Sequence, residues 1–293
     1  MNENLPKISV ADIAGKKVLV RADLEYTDRL SPRGKATDGI VKFLKERNAG
    51  AIKLIGHKGM AEMTSWWEGV EVNFDIRADE REKENSPVMA AELAAGWDVF
   101  VNESFAESHR VFTSVNALPL VMKKQGRPVY IGIRFEKELE MLNGVLNRPG
   151  RKVLVIGGAK AGDKAVMADK LAPKFDAVLR GGLLPGVSLR FDGLDIDDAS
   201  IEKYKQEIAG ASEIVVAGPL GKFEDDNAIK GTKEVYEAVV NSPAFKIAGG
   251  GDTEKALEKL GITEKFDWIS VGGGAMLAYL ADGTLPGIEA LIL

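Results

Sequence analysis

Short apolar runs rich in β-branched residues alternate with segments of helical periodicity along this chain of 293 residues. Such alternation is typical of βαβ units, in which helices connect neighbouring parallel strands. The length suits two domains of ordinary size, and the 45% of hydrophobic residues can fill two cores. The sequence therefore predicts an α/β fold of two domains, each built on a parallel sheet.

The predicted strands fall into two groups of five. Those of the first half are Lys17–Ala22, Ala51–Ile55, Val70–Phe74, Trp97–Asn102 and Val129–Ile133. Those of the second half are Lys152–Ile156, Ala177–Leu179, Glu213–Val216, Phe245–Ala248 and Trp268–Val271. Helices in the first half are predicted at Gly39–Arg47, Ser86–Ala95 and Phe135–Asn147. Between the two groups, Asn147–Arg151 reads NRPGR and breaks both patterns, so we place the domain boundary there.

Composition excludes several classes of protein. The net charge is −5 and both signs are mixed along the chain, whereas a nucleic-acid binder needs a basic face. Without cysteine there can be no disulfide, thiolate metal site or cysteine nucleophile, and two histidines make a polyhistidine zinc site unexpected. We see no signal peptide and no apolar run near the ~20 residues of a membrane span. We therefore expect a cytoplasmic protein.

Glycine-rich turns follow all five predicted strands of the second half. They are Gly157-Gly158-Ala159-Lys160, Arg180-Gly181-Gly182, Ala217-Gly218-Pro219-Leu220-Gly221, Gly249-Gly250-Gly251-Asp252 and Gly272-Gly273-Gly274-Ala275. Ligands of parallel sheets bind at this carboxyl edge, and glycine lets backbone amides approach an anion closely. Tight packing alone explains one glycine pair, but five turns together favour a phosphate-binding site.

Charged side chains beside these turns fit the same site. Lys160 and Lys164 can neutralise phosphates, and Asp252 can hold Mg²⁺ directly or through water. Asp163 and Glu224 are further candidates. Each acid has a structural alternative, because carboxylates also favour helix N-termini. The charged stretch Asp79–Glu84 is interpreted as a solvated loop or helix start.

Six motifs of the second half resemble those of phosphoglycerate kinases and occur in the same order. They are GGAKAGDK (157–164), GPLGKFE (218–224), KGT (230–232), GGGDT (249–253), GGGA (272–275) and TLPGIEAL (284–291). In the first half, KKVLVRAD (16–23), His57-Lys58-Gly59 and DVFVNESFAESHR (98–110) resemble family segments as well. The resemblance spans nearly the whole chain.

The resemblance implies two Rossmann-like domains joined by a hinge, with a cleft between them. Residues 1–148 would bind phosphoglycerate, residues 149–283 would bind Mg-ADP or Mg-ATP, and the tail 284–293 would return to the first domain. The implied reaction moves a phosphoryl group reversibly between 1,3-bisphosphoglycerate and ADP. It needs Mg²⁺ and adenine nucleotide, and we expect a monomer with only small-molecule partners.

The resemblance also implies roles for individual residues. Asp23, His57, Arg77 and Arg110 would face phosphoglycerate, and Arg110 would also be catalytic. Lys160 and Lys164 would contact the nucleotide phosphates and the transferring phosphoryl group. The backbone amides near Gly251 and Gly274 would also bind the transferring phosphoryl group. Glu224 would reach the ribose, Asp252 the metal and Thr253 a phosphate. The remaining nucleotide contacts would be Gly158, Ala159, Gly182 and Gly250. Taken alone, His57 could equally be structural and the two arginines could be surface cations.

Two deletions separate this chain from the family pattern. The stretch between Gly182 and Glu213 is compressed, and the family's additional strand and helix are expected to be missing. A second deletion is placed after Thr37-Asp38, where the family has an Asp-Thr-Arg-Ile motif and most of a helix.

Substitutions add to the losses on the substrate side. Met60 replaces the arginine of a His-Leu-Gly-Arg turn, Glu25 replaces an asparagine and Thr27 a proline, and Ala217 replaces an asparagine beside the nucleotide. The losses leave three interpretations open. The chain is a minimal phosphoglycerate kinase, a kinase of another carboxylate or acyl phosphate, or a non-catalytic nucleotide-binding relative.

An active enzyme would then need other cations at the substrate. The loop Thr27–Lys35 follows the strand that carries Asp23 and holds three basic residues. We expect Arg33, or failing that Arg29, to point into the cleft near His57 and Arg110, although both could be solvated loop cations.

Overall fold

The computed structural model of the chain describes residues 5–159 and 161–293, which form two compact units. Unit 1 comprises the chain up to Glu140 together with Asp282–Leu293, and unit 2 comprises Met141–Ala281. The division falls inside a helix, Ile133–Asn147, just before the predicted breaker.

Unit 1 is built on a five-stranded sheet. Its strands are β1 (Lys17–Arg21), β2 (Ala51–Ile55), β3 (Val70–Asn73), β4 (Val99–Asn102) and β5 (Val129–Ile131). All pairs are parallel, in the order β3-β2-β1-β4-β5. Strand β1 lies at the centre because its residues after Lys17 are all buried, as expected for a strand covered on both faces.

Serine and proline fix where the main helices of unit 1 begin. The helices are α1 (Pro32–Glu46), α2 (Pro87–Ala94), α3 (Leu118–Lys124) and the first part of α4 (Ile133–Asn147). The hydroxyl of Ser86 accepts the amide of Met89 and Pro87 follows, which confirms the predicted start of α2. Ser31 caps α1 in the same way, with Pro32 next.

Unit 2 contains a second parallel sheet, which confirms the predicted α/β class. Its strands are β6 (Lys152–Ile156), β7 (Ala177–Arg180), β8 (Glu213–Ala217), β9 (Phe245–Gly249) and β10 (Trp268–Ser270), in the order β10-β9-β8-β6-β7. Its helices are α5 (Ala161–Leu171), α6 (Asp198–Ala209), α7 (Lys230–Asn241), α8 (Gly251–Leu260) and α9 (Gly273–Asp282). Between β7 and β8 the described chain holds only the helix α6, in line with the predicted compression.

Two sequence predictions in unit 1 are wrong. Helix α1 begins at Pro32, not Gly39, and has 15 residues, so the expected loss of most of a helix after Asp38 did not occur. The stretch Asp79–Glu84 is not wholly solvated, because Glu82 is 0% exposed at the end of a 3₁₀ turn. The charged sequence around Glu82 does not indicate its burial, because Ser114, which donates hydrogen bonds to its carboxylate, lies in a distant segment of the chain.

The C-terminal helix α10 (Pro286–Ile292) lies within unit 1. The amide of Gly287 donates to the carbonyl of Ser108 at 2.9 Å, and Lys123 Nζ donates to the carbonyl of Leu291 at 3.1 Å. In the described part of the chain, no single helix is long and apolar enough to cross a membrane, and only α9 and α10 taken together as a bent pair pass that test.

Candidate active site

All five glycine turns lie at one edge of the unit 2 sheet, because its strands are parallel. Four of the turns contain a glycine in the left-handed region. These are Gly158 (φ +117°), Gly182 (φ +59°), Gly218 (φ +125°) and Gly250 (φ +107°). Other residues rarely adopt such angles, so the turns depend on glycine.

The turns also pack directly against one another. A Cβ on Gly182 would lie 2.5 Å from the carbonyl oxygen of Gly158, and one on Gly273 would lie 2.7 Å from the Cα of Gly250. A Cβ on Gly157 or Gly218 would overlap backbone of the neighbouring turn. Close packing therefore accounts for more of the glycines than the sequence argument allowed.

Lys164, in the first turn of α5, lies among these turns. Its Nζ donates to the carbonyl of Gly157 and, at 3.1 Å, to that of Ala217. Both acceptors belong to the glycine turns after β6 and β8, so the structure places this cation at the edge where the sequence predicted it. Lys160, the other predicted phosphate-binding lysine, lies outside the described residues.

A pocket of about 400 Å³ opens at this edge, and we call it the edge pocket. Five of the predicted nucleotide-binding residues line it: Gly158, Ala159, Gly182, Glu224 and Asp252. Leu183, Leu194 and Phe223 add apolar surface. Apolar walls with a few polar groups are typical of small-molecule sites.

A larger groove of about 630 Å³ lies elsewhere on unit 2, beside α7. Two of its lysines already have acidic partners: Lys205 pairs with Glu202 and Glu234, and Lys230 pairs with Asp198. We favour the edge pocket for an anionic ligand, because the first turn of α8 lines it through Asp252 and the first amides of a helix have no acceptor within it.

Asp252 occupies the second position of α8 and lines the edge pocket. The N-cap of this helix is Gly250, so the alternative role of Asp252 as N-cap is not the one seen. Thr253 is 1% exposed, and its hydroxyl donates to the carbonyl of Gly249, the last residue of β9, at 3.0 Å. The proton of this hydroxyl is therefore already used within the protein. Among the described residues there is no cluster of three or more side chains that could hold a metal ion.

Gly251 and Gly274 lie in the first turns of α8 and α9, which follow the neighbouring strands β9 and β10. Both glycines are exposed. The first amides of a helix have no acceptor within it and carry the positive end of the helix dipole. Two such ends side by side can bind an anionic group.

The corresponding edge of unit 1 is built from buried side chains. Asp23 is 6% exposed, and its Oδ2 lies 3.3 Å from the Nε of Arg33 in the first turn of α1. Burial raises the pKa of Asp23, while Arg33 and Arg21 act in the opposite direction. Arg33 also donates to the carbonyl of Glu25 at 3.2 Å. Arg33, which is predicted to bind the substrate, is thus paired with Asp23, which is also predicted to bind the substrate.

His57 is 4% exposed and stacks on Phe112 with ring centres 4.8 Å apart. The guanidinium of Arg110 lies 5.6 Å from the centre of the same phenyl ring. Arg77, which is also predicted to face phosphoglycerate, is exposed, and its backbone amide donates to the carbonyl of His57 at 3.0 Å. Phe112, which the sequence did not single out, therefore links His57 and Arg110.

Arg29 is committed to other contacts. It forms a bidentate pair with Asp38 at 2.8–3.0 Å, and its guanidinium lies 5.7 and 5.4 Å from the rings of Trp66 and Trp67. Met60, which replaces a family arginine, packs against the apolar core of unit 1.

At this edge, sequence reasoning missed two charged residues that are fully buried, Arg21 and Glu82. Arg21 ends β1, and its Nε donates to Ser114 Oγ at 2.8 Å. An arginine closing an otherwise apolar run was the available signal for the first. Nothing in the charged stretch around Glu82 distinguished it from its exposed neighbours.

Buried polar atoms without a hydrogen-bond partner in the protein concentrate at this edge. Among the described residues, the side chains that carry such atoms are Arg21, Asp23, Tyr26, His57, Glu103, Ser104, His109 and Tyr236. Two of these atoms still have an ion-pairing neighbour: Asp23 Oδ2 lies 3.3 Å from Arg33 and His57 Nδ1 lies 3.6 Å from Glu82. All but Tyr236 follow or end the strands β1, β2 and β4. Since buried polar groups are normally satisfied, this grouping indicates a site that binds something polar.

The family model for phosphoglycerate kinase matches residues 70–189 and 185–283. The chain belongs to the phosphoglycerate kinase family. The phosphoglycerate kinase of Lactobacillus delbrueckii subsp. lactis is 34% identical over 279 residues, which cover 75% of this chain and 69% of that protein. That of Solibacter usitatus is 30% identical over 275 residues, covering 74% and 69%.

Solved structures of the family share the fold. Phosphoglycerate kinases from Coxiella burnetii and Pyrococcus horikoshii superpose with TM-scores of 0.80 and 0.79. Each alignment covers 98% of this chain and 98% of the other chain, with 22% sequence identity. The family consists of phosphotransferases, so membership confirms the predicted class of enzyme, a kinase.

Proposed function

We propose that this chain transfers a phosphoryl group reversibly between 1,3-bisphosphoglycerate and Mg-ADP, giving 3-phosphoglycerate and ATP. In this proposal unit 1 binds phosphoglycerate and unit 2 binds the nucleotide. The known relatives carry the name of this activity, and the chain spans about two thirds of their length.

The edge pocket is the proposed nucleotide site. Gly158, Ala159 and Gly182 would contact the nucleotide, Glu224 would reach the ribose, and the helix starts at Gly251 and Gly274 would meet the phosphates. Asp252 would hold Mg²⁺, which neutralises phosphate charge when bound. The pocket is large enough for part of a nucleotide and combines apolar walls with the first turn of α8, whose first amides have no acceptor within the helix.

The buried edge of unit 1 is the proposed phosphoglycerate site. Asp23, His57 and Arg33 would bind the substrate there, with Arg77 and Arg110 at the exposed rim. Arg33, Arg77 and Arg110 supply the cations for an anionic substrate. They are offset in part by Asp23, by Glu82 beside His57 and by Glu107, whose Oε2 lies 3.5 Å from Arg110 Nε.

The proposed chemistry needs no general base. A terminal phosphate oxygen of ADP attacks the acyl phosphorus of 1,3-bisphosphoglycerate, and the bond from that phosphorus to the carboxyl oxygen breaks. The leaving group is the carboxylate of 3-phosphoglycerate, so no proton is transferred. Positioning and charge neutralisation by Lys164, Arg110 and the helix amides would lower the barrier.

The observation that carries this proposal is the contact between Arg33 and Asp23. The alternatives of another substrate or of no catalysis rested on the apparent loss of substrate-side arginines. Helix α1 is present, and its first turn brings Arg33 within 3.3 Å of Asp23, a residue predicted to bind the substrate.

A coupled assay of ATP formation from 1,3-bisphosphoglycerate and ADP tests the proposal. We expect turnover that requires Mg²⁺ and saturates with both substrates. Nucleotide binding without turnover would favour the non-catalytic alternative, and turnover only with another acyl phosphate would favour the second one.

A further inference from the structure

Glu82 is a carboxylate sealed inside unit 1. It is 0% exposed, and Ser114 binds both of its oxygens. The amide of Ser114 donates to Oε2 at 3.0 Å, and its hydroxyl donates to Oε1 at 2.6 Å. Burying an acid is costly unless cations or donors compensate it, so the neighbours of Glu82 matter.

The first such neighbour is His57. Its Nδ1 lies 3.6 Å from Glu82 Oε1 and is buried without another partner. Stacking on Phe112, with the two rings 6° from parallel, fixes the plane of the imidazole. Because Nδ1 faces Glu82, Nε2 is the ring nitrogen left for a ligand.

The second neighbour is Arg21, reached through Ser114. The same hydroxyl that donates to Glu82 accepts from Arg21 Nε at 2.8 Å. A second nitrogen of the guanidinium, Nη1, donates to the carbonyl of Ala22, and Nη2 has no partner in the protein. Two buried side chains of the substrate edge, His57 and Arg21, are therefore oriented by one carboxylate.

The backbone around Glu82 is held independently of its side chain. Thr113 Oγ1 donates to the carbonyl of Arg81 at 2.7 Å and accepts the amide of Ser86 at 2.7 Å. Asn85 Nδ2 donates to Asn116 Oδ1 at 3.1 Å, and Asn85 Oδ1 accepts the amide of Ala117 at 3.0 Å. The segment does not need the carboxylate to keep its place.

We propose that Glu82 is a positioning residue for phosphoglycerate binding, which keeps the proton of His57 on Nδ1 and leaves the lone pair of Nε2 to accept a hydrogen bond from the hydroxyl of the substrate. Through Ser114 it also holds the guanidinium of Arg21 with Nη2 free. The proposal rests on the proposed function of unit 1 for its substrate, while the proton position on His57 can be tested without any activity.

Glu82→Gln is the informative variant, because the geometry dictates how the amide must lie. The amide of Ser114 needs an acceptor at the Oε2 position, so the glutamine oxygen takes that place and the NH₂ group faces His57. An NH₂ group facing Nδ1 favours the tautomer with the proton on Nε2. We expect ¹H–¹⁵N spectra to show this exchange at His57, one of only two histidines, with His109 unchanged.

Kinetics supply the second measurement. Glu82→Gln should raise the KM for 3-phosphoglycerate about tenfold, a typical effect of losing an orienting carboxylate, and leave the KM for ATP unchanged. Glu80→Gln, in the same 3₁₀ turn but exposed, is the matched control and should change neither. A purely structural role would lower the melting temperature without separating the two KM values.

Other outcomes would overturn the proposal. A bare Nδ1 at His57 in the wild-type protein contradicts it even if the variant fails to fold. So does a Glu82→Gln protein with unchanged His57 signals and unchanged KM values. Ser114→Ala should raise the KM for 3-phosphoglycerate through Arg21 while leaving His57 unchanged, and no effect on that KM would remove the Arg21 part. If the wild-type protein showed no phosphoglycerate turnover, the proposed function would fail, yet the spectra would still decide the link between Glu82 and His57.

Discussion

The carboxyl edges of the two sheets are built from different materials. In unit 2 the carboxyl edge consists mainly of backbone, in the glycine turns and the helix N-termini. The side chain of Lys164 donates to carbonyl groups of these turns. In unit 1 the edge is a set of buried ionisable side chains, including Arg21, Asp23, His57 and Glu82. Backbone amides can donate hydrogen bonds to the phosphates of any nucleotide, whereas a small substrate with a phosphate and a carboxylate needs cations at fixed positions.

This difference predicts that substitutions act locally and differently on the two edges. Changes in unit 2 should alter nucleotide binding or turnover with little effect on phosphoglycerate. Changes in unit 1 should alter phosphoglycerate binding and also stability, because each buried charge depends on its neighbours. The following predictions can break or sharpen that contrast.

The largest effect is expected from Lys164→Ala. The substitution removes the cation held between Gly157 and Ala217, and we expect kcat to fall by about 10²–10³. Steady-state kinetics measure this, with Lys203→Ala, an exposed lysine on α6, as the control. A loss of less than about threefold would show that Lys164 only ties the turns together.

Arg33→Ala should have the next largest effect. It removes the partner of buried Asp23, so we expect kcat/KM for 3-phosphoglycerate to fall by about 10–100-fold with nucleotide affinity unchanged. Arg29→Ala is the matched control, because Arg29 pairs with Asp38 and lies over Trp66 and Trp67, so its loss should lower stability and leave kcat/KM unchanged. Equal kinetics for both variants and the wild type would contradict the assignment of Arg33 to the substrate.

Asp252→Ala tests the role of the metal in unit 2. Because the carboxylate is proposed to act through Mg²⁺, we expect Mg-ADP to bind about tenfold more weakly. ADP binding measured with EDTA present should stay the same. Calorimetric titration checks both conditions, and equal weakening with and without Mg²⁺ would remove Asp252 from the metal site.

The last effect concerns pH and a residue of unit 1, and it involves neither ligand. Burial raises the pKa of Glu103 to about 8, so the folded protein keeps this proton while the unfolded chain releases it near its ordinary value of 4.5. The contribution of Glu103 is therefore favourable at low pH and is lost as pH rises from about 4.5 to 8. Relative to Glu103→Gln, the free energy of unfolding of the wild type should fall by up to about 1.4 kcal/mol per pH unit in this window.

Urea titrations at pH 5, 6, 7 and 8 measure the Glu103 effect. A constant difference between Glu103→Gln and the wild type would show that the carboxyl titrates normally. Asp225→Asn, an exposed-turn change in unit 2, should give no such slope.

The contrast also explains what the sequence revealed. Strand alternation and the motifs around Gly157 and Gly249 specified the fold and the edge pocket, because turns and strands are encoded locally. The start of α1 was misplaced because polar residues before Gly39 resembled a loop, although Ser31 and Pro32 are a helix-start signal. Glu82 could not be found, since its partners Ser114 and His57 come from segments far away in the chain.

The division of labour between the two edges can be tested by binding alone. Calorimetric titrations of 3-phosphoglycerate and of Mg-ADP should be run on the wild-type protein, Arg33→Ala and Asp252→Ala. We predict that the wild type binds both ligands, that Arg33→Ala loses affinity only for 3-phosphoglycerate, and that Asp252→Ala loses affinity only for Mg-ADP. A wild-type protein that binds neither ligand, or a variant that loses both equally, would contradict the assignment of one ligand to each unit.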